Sequence, residues 1–168
     1  MIIYLIGYMG SGKTTVGKKL ARVLAYDFID LDQQIESKIG QSIAEYFKQN
    51  GEEAFRKIEQ KELHKTFQLE NTVVSLGGGT PCFFDNLEQI IQHGKSVYLK
   101  LSAASLASRL QQSKTPRPLI KDLSDGELFE FVQQQLGERE QFYNRTHFLI
   151  KGENLKVQEL AEMIKANS

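Results

Sequence analysis

At 168 residues, with 40% hydrophobic and 25% charged side chains, the chain fits one ordinary globular domain with a full core. Its 21 basic residues balance 21 acidic ones, so no broad positive field draws in nucleic acid or an anionic membrane, and any work done by cations has to be local. The single Cys82 cannot form an internal disulfide, and no apolar run reaches signal-peptide or membrane-span length, which predicts a cytoplasmic protein without membrane contact.

The first element is Ile2-Ile3-Tyr4-Leu5-Ile6, an unbroken apolar run suited to a strand buried on both faces of a parallel sheet. It leads into Gly7-Tyr8-Met9-Gly10-Ser11-Gly12-Lys13-Thr14-Thr15, which fits the phosphate-cradling pattern G-x-x-x-x-G-K-S/T. Val16, Leu20, Ala21 and Leu24 then recur at helical spacing. Strand, glycine loop and helix are the context this motif needs. Gly10, Ser11 and Gly12 let main-chain N–H groups point at phosphate oxygens, and the amides of Lys13, Thr14 and Thr15 open the helix beneath them. The Lys13 ammonium would reach the β- and γ-phosphates of a bound nucleotide, and the Thr14 hydroxyl would bind Mg²⁺.

Asp27-Phe28-Ile29-Asp30-Leu31-Asp32 reads as a short strand ending in two carboxylates. Residues two apart on a strand share a face, so Asp30 and Asp32 are expected to emerge together beside the phosphate loop. One would serve a magnesium-bound phosphate and the other an acceptor hydroxyl; the plain alternative is a solvated acidic loop. Asp30, the deeper of the two, is assigned to the water shell of Mg²⁺, and Asp32 to the hydroxyl as base.

Residues 33–69 read as helical, broken near Gly40 and at Asn50-Gly51, with Ser42 and Glu45 forming a capping box. Such an excursion can wall a substrate site. Within it Arg56 and Glu59 stand at i, i+3, either a surface ion pair or a glutamate aiming an arginine at an anion. Thr72-Val73-Val74-Ser75-Leu76 is a central-strand signature running into Gly77-Gly78-Gly79, either a flexible turn or a platform that a ligand can approach closely.

A helix around Leu87–Gln92, a strand over Ser96–Leu101 and a Ser102-capped helix from Ala103 follow. Residues 112–125 lose periodicity and contain Pro116-Arg117-Pro118, the composition of a mobile lid. A long amphipathic helix from about Gly126 continues past Gly137 to Tyr143 and carries Arg139, a solvated charge or a second clamp. Phe148–Ile150 is the last strand and Leu155–Ile164 the closing helix. His64, His93, His147 and Cys82 have no metal-ligand spacing.

The alternation predicts a single domain, 1–168: a three-layer α/β sandwich on a five-stranded parallel sheet, a P-loop fold of the nucleoside monophosphate kinase type with a lid. Taken together, the phosphate loop, Asp30 and Asp32, Phe55-Arg56-Lys57-Ile58-Glu59, Ser75-Leu76-Gly77-Gly78-Gly79, Arg117-Pro118-Leu119 and Arg139 to Tyr143 resemble the shikimate kinase family essentially end to end. The resemblance implies ATP-dependent phosphorylation of the 3-hydroxyl of shikimate by a monomer, on the route to aromatic amino acids. It implies that Arg56 and Arg139 grip the shikimate carboxylate, that Asp32 and the Gly78 backbone hold hydroxyls, and that Arg117 closes over the ATP phosphates. Departures lie at Leu31, expected to point away from the site, and at Leu110 and Lys151-Gly152, toward the adenine end. A gluconate-type kinase is the nearest rival; a GTP-dependent switch lacks its N-K-x-D signature. A degenerate nucleotide-binding module would have lost Lys13, Asp32 or a clamp arginine, and all are present.

Overall fold

The structure is a computed structural model that describes residues 1–168. Five parallel strands form one sheet: β1 (Ile2–Ile6), β2 (Asp27–Asp30), β3 (Thr72–Ser75), β4 (Lys95–Lys100) and β5 (Phe148–Lys151), in the order β2-β3-β1-β4-β5. Helices join them: α1 (Lys13–Leu24), α2 (Leu31–Ile39), α3 (Ile43–Asn50), α4 (Glu52–Thr66), α5 (Asn86–His93), α6 (Ala103–Gln112), α7 (Asp125–Tyr143) and α8 (Val157–Ala166). The apolar run of β1 is buried throughout, and its alternate residues feed different layers. Ile3 and Leu5 join Leu20, Leu24, Leu160 and Ile164 of α1 and α8 in one core. Tyr4 and Ile6 join a larger core with Leu63, Leu106, Val132 and Tyr143 on the opposite face.

Register sets the position of the site. Leu5 of β1 pairs with Ser75 of β3, and Ser75 with Asp30 of β2. Three strands therefore end level, and the phosphate loop, the acidic pair and the glycine run emerge at one carboxyl edge, where β1 lies between β3 and β4.

Two local expectations are revised. β2 stops at Asp30, whose side chain caps α2 by accepting the Gln33 N–H at 3.2 Å, and Asp32 lies in the first turn of that helix. The strand-periodicity reason for grouping the two carboxylates therefore fails, because a capping aspartate ends a strand as readily as it extends one. The closing helix starts at Val157, two residues later than predicted. The Ser42–Glu45 capping box forms as expected, and α7 runs unbroken through Gly137. Leu31 is fully buried in the larger core.

Candidate active site

The loop between β1 and α1 turns on Gly10 and Gly12, with φ of 79° and 90°, a region closed to most side chains. Gly12 caps α1, and the first main-chain bond into its carbonyl comes from Val16. The amides of Gly12, Lys13, Thr14 and Thr15 donate to no group of the protein, and they sit at the positive end of a helix. That is an anion cradle. Lys13 folds back across it, its Nζ donating to the carbonyls of Gly7 at 2.7 Å and Tyr8 at 3.0 Å. Burial pulls its pKa down to about 8 against the pull of Asp32 and Asp30, so much of the charge survives at neutral pH. Ser11 is buried and its hydroxyl has no partner in the protein.

The two aspartates face different neighbours. The Thr14 hydroxyl donates to Asp30 Oδ2 at 2.7 Å, so a hydroxyl and a carboxylate lie together beside the cradle. Hard oxygen donors in that number suit Mg²⁺, which keeps waters and takes its remaining ligands from substrate phosphates. No cluster of three or more His, Cys, Asp or Glu side chains is placed to cage a metal on its own. Asp32 instead lines a cavity of about 560 Å³ and packs against Gly77. Burial first, then the Glu59 and Asp30 charges, push its pKa up from 3.8 to about 6.

Across the cavity, α4 presents Arg56 and Glu59. Sequence spacing left a surface pair open; the structure shows a buried one, with Arg56 Nη1 donating to Glu59 Oε1 at 2.8 Å and side-chain exposures of 10% and 1%. The other Glu59 oxygen accepts the Thr80 hydroxyl at 2.7 Å, and the Arg56 guanidinium lies 4.0 Å from the centroid of the Phe83 ring. Carboxylate on one side and ring on the other hold the fork in one plane. Arg139 approaches from α7, 5.5 Å over the ring of Tyr8. Arg117, Pro118 and Leu119, from the irregular stretch between α6 and α7, line the same cavity, and Ile120 and Leu123 anchor that stretch to the larger core.

The glycine run has a role the sequence reading did not give it. A Cβ at Gly77 would stand 2.8 Å from Asp32 Oδ1, one at Gly78 3.0 Å from Arg139 Nη1, and one at Gly79 2.5 Å from Arg56 Nη2. Each glycine makes room for a charged side chain of the site itself. Three further residues of the site carry no sequence signal of their own. Tyr8 sits at a variable position of the loop, and Phe83 follows Cys82 with no pattern around it. Tyr143 stands one turn beyond Arg139, and nothing in the sequence says what its hydroxyl meets. Arg109 also reaches the loop, its Nη1 3.4 Å from where a Cβ on Gly12 would lie.

A family model described as shikimate kinase matches residues 9–167. The chain belongs to the shikimate kinase family. A shikimate kinase from Phocaeicola vulgatus is 45% identical over 154 residues, covering 92% of this chain and 88% of that protein. The crystal structure of shikimate kinase from Bacteroides thetaiotaomicron superposes with a TM-score of 0.95 at 39% identity, covering 98% of each chain. Shikimate kinase from Acinetobacter baumannii, solved in complex with shikimate, gives a TM-score of 0.84 at 32% identity, over 99% of this chain and 91% of that one. No helix is long and apolar enough to cross a membrane.

The buried shikimate kinase ion pair yields a first expectation. Glu59→Gln leaves Arg56 with the more exposed Glu52, at 3.3 Å, as its remaining carboxylate, so the loss stays below the about 3–5 kcal/mol of a buried charge left unpaired. Chemical denaturation of the ligand-free variant should read a loss of about 1–3 kcal/mol, partly recovered in saturating shikimate. Glu59 also raises the Asp32 pKa, so the acid limb of the rate profile should move to lower pH. Unchanged stability with an unmoved limb would place Glu59 outside the site.

Proposed function

We propose that this member of the shikimate kinase family transfers the γ-phosphoryl group of ATP to the 3-hydroxyl of shikimate, giving 3-phosphoshikimate and ADP, through the residues gathered above. The observation that carries the reading is a single cavity that gathers Arg56, Arg117, Arg139, Asp32 and the glycine run and meets the phosphate loop at Met9. Asp32 interacts electrostatically with Lys13 on one side and Glu59 on the other. The A. baumannii relative solved with shikimate supports the choice of acid.

Arg56 and Arg139 hold the carboxylate, where forked, charge-assisted hydrogen bonds are strong. The Gly78 backbone and Asp32 hold ring hydroxyls. Asp32 takes the proton of the 3-hydroxyl as its oxygen bonds to the γ-phosphorus and the bond to the β,γ-bridging oxygen breaks. A carboxyl with a pKa near 6 is ionised at neutral pH and still basic enough to accept that proton. Lys13, Arg117 and the loop amides stabilise charge on the transferring group, which phosphoryl transfer needs more than covalent help. Thr14 and, through water, Asp30 would hold Mg²⁺, which supplies further neutralisation of the phosphates when bound.

Release of ADP, followed across a panel of hydroxy acids and nucleotides, tests the reading: turnover with shikimate and ATP is expected, and turnover with gluconate in its place would overturn it. Lys13→Ala should stay folded and lose about 10²–10³ in kcat, the scale for one preorganised charge donor. Near-normal turnover in that variant would remove the phosphate loop from the nucleotide site.

A further inference from the structure

Glycine is the residue least able to hold a peptide plane still, and this site puts three in succession against its acceptor pocket. The main-chain N–H groups of Gly77, Gly78 and Gly79 donate to nothing within the protein, so they are the free donors of that wall. Their direction depends on which way the planes are turned. The Gly78 carbonyl and the Gly79 N–H belong to one planar trans unit and point to opposite edges of it. A flip of that unit would turn the N–H away and bring a carbonyl oxygen, an acceptor, in its place.

One contact opposes the flip. The hydroxyl of Tyr143 donates to the Gly78 carbonyl at 2.6 Å. Tyr143 is itself immobilised: its exposure is 0%, its ring packs on Tyr98 with centroids 5.0 Å apart, and it ends α7 one turn after Arg139. Arg139 in turn abuts Gly78 on the face where a Cβ would be. The same helix therefore supplies a clamp arginine and a pin for the peptide beside it.

We propose that Tyr143 is a positioning residue of the kinase, locking the Gly78–Gly79 peptide so that it presents the Gly79 N–H, not the Gly78 carbonyl, to a hydroxyl of the acceptor. The proposal rests on the assignment of the Gly78 backbone to a shikimate hydroxyl, met through the peptide unit that joins it to Gly79. Without the pin, the wall becomes a mixture of donor and acceptor orientations, and the selectivity for a hydroxyl there falls.

The test is Tyr143→Phe, which removes one oxygen and keeps the ring. Both enzymes are assayed with shikimate and with analogues lacking one ring hydroxyl at a time. For wild type, one deoxy analogue other than the 3-deoxy compound, which has no acceptor, should lose about tenfold or more in kcat/KM. For Tyr143→Phe, kcat/KM for shikimate should fall about tenfold, the penalty for that analogue should shrink to about twofold, and KM for ATP should stay within about twofold. A loss equal for shikimate and every analogue, or a rise in KM for ATP of the same size, marks a merely structural tyrosine and overturns the proposal, as does an unchanged profile. If wild type itself shows no penalty for any analogue, the hydroxyl assignment of Gly78 falls and the proposal with it, an outcome read in the wild-type arm alone.

Discussion

Arg117→Ala is expected to lower kcat by about 10³-fold or more while changing the shikimate dissociation constant by less than about threefold. Arginines that meet a transferring phosphoryl group contribute about 10³–10⁵ in rate, and an interaction made only in the transition state is lost from kcat, not from ground-state binding. The local structure fits that role. Arg117 lies between two prolines, which narrow its backbone freedom, and its side chain lines the cavity. Its Nε is buried without a partner in the protein, and burial lowers its pKa. A half-buried cation with an unpartnered N–H gains from an anion brought beside it. A loss below about tenfold would count against the role. A second measurement addresses closure: tryptic cleavage after Lys114 or Lys121 should slow when both substrates' sites are filled, and cleavage indifferent to ligand would argue against a lid.

The parts of the molecule legible in the sequence are those whose cause is local. The strand, loop and helix around Gly7–Thr15 are specified by contiguous residues, and the Ser42–Glu45 box by four. The five-strand alternation follows from runs such as Val73-Val74 that no helix pattern explains. Where burial comes from distant elements, the sequence was silent or ambiguous. Arg56 and Glu59 read in the sequence first as a solvated pair, because the groups packed on them include Thr80 and Phe83, more than twenty residues on. Tyr8 donates to Gln135 Oε1 at 2.5 Å across 127 positions, and nothing near either residue announces it. The acidic pair teaches a different lesson. Its place beside the phosphate loop was legible from the motif order, yet strand periodicity was the wrong reason, since the cap of α2 is what separates Asp30 from Asp32.

That separation makes the division of labour between the two carboxylates open to experiment. Asp30 accepts the Thr14 hydroxyl and sits beside the phosphate cradle, whereas Asp32 faces the acceptor cavity with its pKa at about 6. An asparagine keeps the shape and one acceptor oxygen but takes no proton at neutral pH. Asp32→Asn should therefore cost about 10²–10⁴ in kcat, the scale of general base catalysis. In wild type, kcat/KM for shikimate should fall about tenfold per pH unit below pH 6 as Asp32 is protonated, and the residual activity of Asp32→Asn should lack that limb. Stability should move the other way. The folded pKa lies above the ordinary 3.8, so the native state binds the extra proton and the ligand-free fold loses stability as pH rises from about 4 through about 6. At pH 7 the ionised Asp32 thus costs the apoprotein roughly 1–3 kcal/mol, and Asp32→Asn should unfold at higher denaturant than wild type, a gain that vanishes near pH 4. Asp30→Asn keeps an oxygen that can accept the Gln33 N–H, so the cap of α2 survives and stability should change by less than about 1 kcal/mol. Its kinetic signature is a raised Mg²⁺ requirement with partial rescue at high metal, whereas added Mg²⁺ should leave Asp32→Asn unchanged. The decisive measurement is kcat against Mg²⁺ concentration for both variants; rescue of Asp32→Asn, and not of Asp30→Asn, would reverse the two roles.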